Sequence, residues 1–192
     1  MRSLTVLLVA MLCASCGLLP FDIQQAPLKP YQAVVLDIDG TLTPTPPAIF
    51  TARDDARDAL RVFAKNGYKI IYLSARSRLL QAGIPDWLKK NGFPEGSIHV
   101  PQTALFGEEA TIAFKKGILD AYREKKWDLV AAYGDSDTDF EAYRQAKIPK
   151  ARIFALQRAG DKTCQGDSSM WKKCLRSWTE HMNEISEDLV AK

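Results

Sequence analysis

The sequence has almost no excess charge of either sign, since 26 Lys and Arg residues stand against 23 Asp and Glu residues, a net charge of +3. It also lacks any basic stretch interleaved with aromatic residues, so its composition gives no support for nucleic-acid binding. Repeats, low-complexity segments and collagen-like periodicity are absent. Its two histidines, His99 and His181, are isolated in the sequence, and we interpret both as surface or structural residues. A chain of 192 residues is long enough for one globular α/β domain with a tail.

The first 16 residues are typical of a bacterial export signal rather than of a folded domain. Arg2 precedes an apolar run at 4–12, and this run is well short of the roughly 18 residues that a membrane-spanning helix needs. Segment 12–16, with sequence LCASC, resembles a lipobox, in which the final cysteine is lipidated and becomes the first mature residue. We therefore expect an exported protein, anchored through lipid on Cys16 at the periplasmic or outer surface of a bacterial membrane. Cleavage to a soluble secreted protein is the alternative.

The rest of the chain divides into three parts. Residues 17–30 contain three prolines and predict an irregular linker, residues 31–160 hold the folded domain, and residues 161–192 form a C-terminal extension with a helix. Cys164 and Cys174 lie in this extension, and in an oxidising compartment we expect them to form a disulfide. A zinc site is the alternative for these cysteines, but no histidine at ligand spacing accompanies them.

Short apolar runs alternate with helical patterns through the folded domain. The runs are continuous and rich in β-branched residues, which predicts buried strands at 33–36, 70–73, 98–100, 129–133 and 153–156. Apolar residues at helical spacing predict helices at about 51–65 with Thr51 as cap, about 112–124, about 140–146, and a final stripe from Trp178 to Leu189 that docks on the core. The alternation predicts a Rossmann-like α/β fold, in which a parallel sheet is flanked by helices on both faces.

Two acidic clusters follow two of these predicted strands. Asp37 and Asp39 come directly after the first strand, and segment 134–139, with sequence GDSDTD, follows 129–133. Asp-Gly alone is a common turn, and the second cluster alone could cap a helix. A calcium loop does not fit, because its glycine and terminal glutamate are missing. Ligands bind beyond the carboxyl ends of parallel strands, so two acidic strand ends in one sheet predict a Mg²⁺ site with room for a phosphate oxygen.

The motif at 37–41, with sequence DIDGT, resembles the first motif of the haloacid-dehalogenase superfamily of phosphohydrolases. Ser74 matches the second motif of that superfamily, Lys115 or Lys116 matches the third, and 134–139 matches the fourth. A closer resemblance is to the catalytic domain of lipins, which are Mg²⁺-dependent phosphatidate phosphatases. The segments that carry it lie at 37–41, 66–69, 72–76, 114–115 and 149–154.

The resemblance implies a catalytic role for each matched residue. Asp37 would attack phosphorus to form an aspartyl-phosphate, and Asp39 would protonate the leaving alcohol and then activate water. Lys115 would neutralise both the nucleophile and the phosphate. Mg²⁺ would be held by Asp37, the backbone carbonyl of Asp39, Asp135 and Asp139.

The same resemblance implies the substrate contacts. Ser74 would donate a hydrogen bond to a phosphoryl oxygen, and Gly40 and Thr41 would add further phosphate contacts. Arg76 would either support the site or contact the substrate, and a surface ion pair is the alternative for this residue.

The spacing of the motifs predicts an essentially capless enzyme. The interval between Asp39 and Thr51 is short, and the interval between Ser74 and Lys115 is already occupied by predicted elements. The proline-rich segment 44–47 would form a stiff flap beside an open site, which suits bulky or surface-presented substrates. The resemblance to lipins, together with the open site and the predicted anchor, implies a phosphatase acting on phosphatidic acid or a related lipid phosphate. The alternatives are an exported acid phosphatase acting on nucleotides or sugar phosphates, and a non-catalytic module that binds lipid phosphates.

Overall fold

The computed structural model describes residues 23–27 and 31–189. The strands in this part of the chain are β1 (Gln32–Asp37), β2 (Lys69–Leu73), β3 (Ser97–His99), β4 (Asp128–Gly134), β5 (Ile153–Leu156) and β6 (Lys173–Leu175). They form one parallel sheet in the order β3-β2-β1-β4-β5-β6. The chain order reverses between β1 and β4, and the carboxyl ends of strands at such a point form a natural ligand site.

Both faces of the sheet are covered, which explains why its strands are continuously apolar. Side chains alternate between the two faces of a strand. In β1, Val34 and Leu36 therefore enter one core, whereas Ala33 and Val35 enter the other.

The helices lie on both sides of this sheet. They are α1 (Ala56–Lys65), α2 (Arg78–Gln81), α3 (Ile84–Lys90), α4 (Gly107–Glu124), α5 (Asp137–Gln145) and α6 (Met182–Glu184), with 3-10 turns at Lys150–Arg152 and Thr179–His181 and a π-helical turn at Ile185–Leu189. Residues of α1, α3 and the C-terminal helical segment 179–189 belong to the first core, and residues of α4 and α5 belong to the second. The predicted Rossmann-like α/β fold is confirmed.

Two helices begin at residues other than those predicted. Helix α1 begins at Ala56 rather than after Thr51, because segment 44–55 is folded into turns. In that segment, the Thr51 N–H donates to the Ala48 carbonyl at 2.9 Å and the Arg53 N–H donates to the Leu42 carbonyl at 2.8 Å. Helix α4 begins at Gly107, ahead of the predicted 112, because its first turn is exposed and polar and so lacks the apolar spacing that marks a helix in sequence.

The C-terminal extension adds an edge strand that was not predicted. Strand β6 pairs with β5, with Cys174 opposite Ala155, and Cys174 forms the predicted disulfide with Cys164 across a Cα–Cα distance of 5.7 Å. A crosslink that closes so short a loop contributes about 3 kcal/mol in the chain-entropy description. Trp178 and Ile185 from the predicted stripe are fully buried in the first core.

Residues 23–27 dock at the amino edge of the sheet instead of standing free. Ile23 packs in the second core, the Ala26 N–H donates to the Lys125 carbonyl at 2.9 Å, and the Trp127 indole N–H donates to the Gln24 carbonyl at 2.9 Å. The predicted signal peptide at 1–16, the lipidated Cys16 and the rest of the predicted linker lie outside the described residues. None of the described helices is long and apolar enough to cross a bilayer.

Both histidines are buried, so the structural interpretation is correct and the surface interpretation is wrong. His99 Nε2 lies 2.8 Å from the Tyr122 hydroxyl in the second core. His181 Nε2 lies 3.0 Å from the Tyr133 hydroxyl, and its Nδ1 lies 3.2 Å from a Glu184 carboxylate oxygen.

Burial of the two histidines predicts a loss of stability in acid. Burial lowers the pKa of His181 and of His99 to about 4, whereas an unfolded histidine titrates near 6.5. Between these pH values the unfolded chain binds more protons than the folded chain. The two histidines therefore cost no stability above about pH 6.5. As the pH drops toward 4, each of them should lower the free energy of unfolding by about 1–3 kcal/mol. Urea unfolding followed across this range measures the effect.

The variant His181→Gln provides the control for this expectation. Glutamine can still hydrogen-bond to the Tyr133 hydroxyl, but it does not titrate. The variant should lose the part of the pH dependence that His181 contributes, while His99 and the carboxylates with raised pKa, Asp37 and Asp135, titrate alike in variant and parent. An identical pH dependence in the variant and the parent would contradict the assignment.

Candidate active site

Three carboxylates meet at the carboxyl edge of the sheet, where the two central strands end. Asp37 is the last residue of β1, and Asp135 follows the last residue of the neighbouring strand β4. Asp139 lies in the first turn of α5. One carboxylate oxygen from each of these residues lies within 4.8 Å of the others, and all three residues are buried. The parallel sheet thus brings together acidic residues from distant parts of the sequence.

A lysine from α4 bridges two of these carboxylates. Lys115 Nζ donates to Asp37 Oδ1 at 2.7 Å and to Asp139 Oδ1 at 2.5 Å, and all three side chains are buried. Burial alone would lower the pKa of Lys115, but Asp139 and Asp37 outweigh it and raise this pKa. Lys116 instead pairs with Asp120 on the outer side of α4. Of the two lysines that match the third motif, Lys115 is therefore the one in the site.

Crowding and burial disfavour the charged forms of the acidic side chains. Burial raises the pKa of Asp37 well above its ordinary value, and the charge of Asp139 adds to this effect while Lys115 opposes it. Burial, with the charge of Asp139, also raises the pKa of Asp135 to about 6, although an ion pair with Arg158 acts in the opposite direction. These carboxylates would be stabilised by additional positive charge.

The donor set fits a divalent cation. Within the described residues, Asp37 Oδ2 is buried and accepts no hydrogen bond, which is costly for a carboxylate. Both oxygens of Asp139 are engaged, since Oδ1 meets Lys115 and Oδ2 accepts from Ser136 Oγ at 2.6 Å. The free oxygen of Asp37 and the neighbouring Asp135 carboxylate are therefore the available ligands, and buried carboxylate oxygens suit a hard cation.

Gly40 and Thr41 shape the first motif and do not line the open cavity, and their contact with a substrate stays a prediction. Gly40 has φ +86°, and a Cβ on it would lie 1.9 Å from Asp135 Oδ2, so only glycine fits there. Its N–H already donates to Thr43 Oγ1 at 2.8 Å. Thr41 is fully buried, and its carbonyl accepts from the Trp178 indole at 3.2 Å. Both residues shape the loop that follows Asp37 and carries Asp39.

Asp39 is held by the two residues predicted to contact substrate. Ser74 Oγ donates to Asp39 Oδ2 at 2.9 Å, and Arg76 Nε pairs with Asp39 Oδ1 at 2.8 Å. Arg76 also donates through Nη2 to the Ile49 carbonyl at 2.6 Å. Arg76 is buried, so the surface ion-pair interpretation is wrong. In this structure the Ser74 hydroxyl serves Asp39, and its contact with a phosphoryl oxygen stays a prediction.

These groups open into a cavity of about 320 Å³ at the carboxyl edge. Asp37, Asp39, Arg76 and Lys115 line its polar part, and its apolar part is formed by Pro46, Ile49, Ala75 and Leu80. Residues 44–55, which include the predicted flap at 44–47, lie on one side of the cavity, and we call this longer segment the flap from here on. No inserted domain covers the cavity in the part of the chain that the structure describes. The site is therefore open to large ligands.

The profile of the family described as "PITM 1-3, LNS2 domain" matches residues 34–157, which include Asp37, Asp39, Lys115, Asp135 and Asp139. The chain belongs to the LNS2 domain family. The matched region begins within β1 and ends directly after β5, so it contains five of the six strands.

Relatives of this LNS2 domain include lipins and lipid-transfer proteins. Phosphatidate phosphatase LPIN3 of Mus musculus is 27% identical over 154 residues, which cover 68% of this chain and 18% of that protein. Phosphatidate phosphatase PAH1 of Arabidopsis thaliana is 28% identical over 153 residues, or 67% of this chain and 17% of that protein. Membrane-associated phosphatidylinositol transfer protein 3 of Mus musculus is 27% identical over 143 residues, or 68% of this chain and 13% of that protein. The recognised resemblance to lipins is confirmed, although the chain spans less than a fifth of these relatives.

A solved structure shares the fold of this LNS2 domain. The D,D-heptose 1,7-bisphosphate phosphatase from B. bronchiseptica, complexed with magnesium and phosphate, superposes with a TM-score of 0.56 at 14% sequence identity. The match covers 81% of this chain and 98% of that one. This superposition supports the assignment of the fold.

Two arginines of this LNS2 domain belong to the site but were not predicted. Arg158 pairs with Asp135 and lines the cavity. Arg158 lies just beyond the carboxyl end of β5, as the acidic clusters lie beyond the ends of β1 and β4. The same reasoning from strand ends could therefore have indicated it. Arg53 donates to the carbonyls of Gly40 at 2.9 Å and Gln157 at 2.6 Å, which ties the first motif to the end of β5. It acts through backbone carbonyls, for which the sequence carries no signal.

Proposed function

We propose that this LNS2 domain is a Mg²⁺-dependent phosphomonoester hydrolase that acts through an aspartyl-phosphate on Asp37, with phosphatidate or a related lipid phosphate as substrate. The observation that carries the proposal is the convergence of Asp37, Asp135 and Asp139, with Lys115, at the mouth of an open cavity. The phosphatidate phosphatases among the relatives support the phosphatase class and the lipid substrate.

Asp37 is the nucleophile in this proposal. Its unengaged Oδ2 would be the ligand to Mg²⁺, which leaves Oδ1, the oxygen that Lys115 contacts, to form the bond to phosphorus while the ester P–O bond breaks. Lys115 stabilises the negative charge on the nucleophile and on the phosphoryl group.

Asp39 moves the proton in both steps. It donates a proton to the leaving alcohol, and it then accepts one from the water that hydrolyses the aspartyl-phosphate. Ser74 and Arg76 contact one oxygen each of Asp39 and so fix the direction in which its carboxylate points. A non-catalytic module that binds lipid phosphates would not need a second carboxylate with a fixed orientation, so the position of Asp39 favours an enzyme.

Asp37, Asp135 and the backbone carbonyl of Asp39 would hold Mg²⁺, and Asp139 would support it through its contacts with Lys115 and Ser136. When bound, the cation supplies positive charge that offsets the repulsion between the carboxylates and a phosphate dianion. Arg158, which lines the cavity, is placed to add a second positive charge near the phosphate.

Phosphate release from three substrates tests the proposal: phosphatidate in mixed micelles, a nucleoside monophosphate and an aryl phosphate. We expect Mg²⁺-dependent release that a chelator abolishes, with micellar phosphatidate as the best substrate. Circular dichroism with and without the chelator controls for loss of the fold. If phosphatidate is the poorest substrate, the lipid assignment fails and the general phosphatase remains. If none of the three releases phosphate, the enzyme proposal itself fails.

We also propose that the chain is exported and anchored through lipid on Cys16. At most about 25 Å of extended chain joins Cys16 to Ile23, and residues 23–27 dock at the edge of the sheet opposite the cavity. The cavity of an anchored molecule would therefore face away from the anchoring membrane. The mass of the mature amino terminus distinguishes a diacylated Cys16 from ordinary cleavage.

A further inference from the structure

Large apolar side chains that are exposed to solvent are concentrated around the mouth of the cavity. Among the described residues five are exposed, and four of these lie in segments that follow the carboxyl ends of strands: Phe50, Leu79, Leu80 and Phe106. We call these four residues the apolar collar. The fifth, Tyr31, precedes β1 at the opposite edge.

The collar consists of protruding side chains. Leu79 is 93% exposed and Phe106 is 86% exposed, so each is almost entirely surrounded by solvent. Single exposed apolar residues are common on protein surfaces and need no explanation. Their concentration at one edge is different, because clustered exposed apolar groups mark sites of interaction.

The segments that carry the collar are fastened to one another. Gln81 Nε2 donates to the carbonyls of Arg76 at 2.6 Å and Pro101 at 3.0 Å, which joins α2 to the segment that leads into α4. The Phe50 ring lies against Gly83, where a Cβ would be 3.0 Å from a ring carbon. These contacts hold Phe50 and the α2 residues Leu79 and Leu80 on adjoining segments, and Phe106 follows on the segment that leads from Pro101 into α4.

The collar is continuous with the active-site cavity. Leu80 belongs to the collar and also lines the cavity, beside Ile49 and Pro46 of the flap. An apolar path therefore runs from the solvent-facing collar to the cavity that contains Asp37.

We infer that the apolar collar docks on a lipid surface and presents the cavity to phosphate headgroups in that surface. This inference rests on the proposed function and adds how the active site reaches a substrate that lies in a lipid surface. Four side chains cover on the order of 500 Å², below the roughly 800 Å² per partner of a standard protein interface. Apolar side chains that protrude together from one edge fit a fluid acyl layer, which needs no complementary shape.

Apolar burial rather than charge drives this docking. Arg78 is exposed beside Leu79, but Glu108 and Glu109 are exposed beside Phe106, so the collar has no excess of positive charge. Docking should therefore depend little on ionic strength, since screening acts on charges and not on apolar burial. In a molecule anchored at Cys16, the collar would meet lipids on a facing surface.

Two collar variants of the full chain test the inference. They, the control and the parent all carry Cys16→Ser, which prevents lipidation. Leu79→Ser and Phe106→Ser remove the most exposed collar side chains, neither of which lines the cavity, and Tyr31→Ser is the matched control at the opposite edge. The assay compares kcat/KM for phosphatidate in phosphatidylcholine vesicles with kcat/KM for a monomeric short-chain phosphatidate. We expect each collar variant to lower the vesicle value about ten-fold, with the monomer value unchanged and Tyr31→Ser equal to the parent.

The outcomes separate the collar from the proposed function. Unchanged vesicle rates in both collar variants would overturn the docking and leave the phosphatase intact. Loss of concentration-dependent self-association in those variants, with vesicle rates unchanged, would assign the collar to a second copy of the chain instead. If the parent releases no phosphate from either substrate, the proposed function fails. Co-sedimentation with the same vesicles then still decides the docking, which is overturned if collar and control variants bind equally.

Discussion

Replacing Asp37 by asparagine is expected to reduce phosphate release by at least about 1000-fold, because an amide cannot form the bond to phosphorus. The substitution keeps the shape of the side chain and an oxygen that can accept from Lys115. Burial and the charge of Asp139 raise the pKa of Asp37, so removing its charge relieves repulsion among buried carboxylates. The free energy of unfolding should therefore not fall. Initial rates on an aryl phosphate and urea unfolding of the same samples measure the two effects.

Asp137→Asn is the matched control for this variant. Asp137 lies in the same acidic segment as Asp135 and Asp139, but it is exposed and is not part of the group of three carboxylates. Its rate should stay within about two-fold of the parent, as for other surface substitutions. Equal rates for Asp37→Asn and Asp137→Asn would refute Asp37 as the nucleophile.

Replacing Lys115 by methionine is expected to lower both activity and stability. Methionine preserves much of the aliphatic stem, but it leaves Asp37 and Asp139 buried without the ammonium that bridges them. Removing one partner of a buried ion pair costs about 3–5 kcal/mol, because the remaining charge stays buried without compensation. The rate should fall about 100- to 1000-fold, since the charge that stabilises the phosphoryl group is lost. Urea unfolding at neutral pH and initial rates provide the measurements.

Lys116→Met is the neighbouring control. Its ion pair with Asp120 is more than one-third exposed on both sides, and pairs of this kind contribute about 0–1 kcal/mol. Its rate should match that of the parent. If Lys115→Met and Lys116→Met have equal effects, the assignment of Lys115 to the site is incorrect.

The convergence of Asp37 and Asp135 could be predicted from two simple regularities of parallel sheets. A continuous apolar run marks a strand that is buried on both faces, and the carboxyl ends of parallel strands share one edge of the sheet. Both acidic residues directly follow such runs. The combination predicts a common site without any knowledge of side-chain geometry.

Other parts of the fold and site carry too weak a local signal. Strand β6 has three residues, and its position depends on pairing with β5 and on the disulfide at Cys174. The hydrogen bond from the Ser74 hydroxyl to Asp39 has no signal in the sequence, because a hydroxyl bonds to whichever acceptor lies within reach. The pairing of Arg158 with Asp135 likewise follows from how close β5 and β4 lie in the sheet.

The amino-acid sequence was sufficient to predict the class of fold, the edge of the sheet that holds the site, and the acidic residues that meet there. The choice between Lys115 and Lys116 required the three-dimensional structure. Adjacent residues on a helix point about 100° apart, so only one of the two can face the carboxylates. Which one does so depends on the rotation of α4 about its axis, and that rotation is set by packing of Ile118, Leu119 and Tyr122 against the sheet.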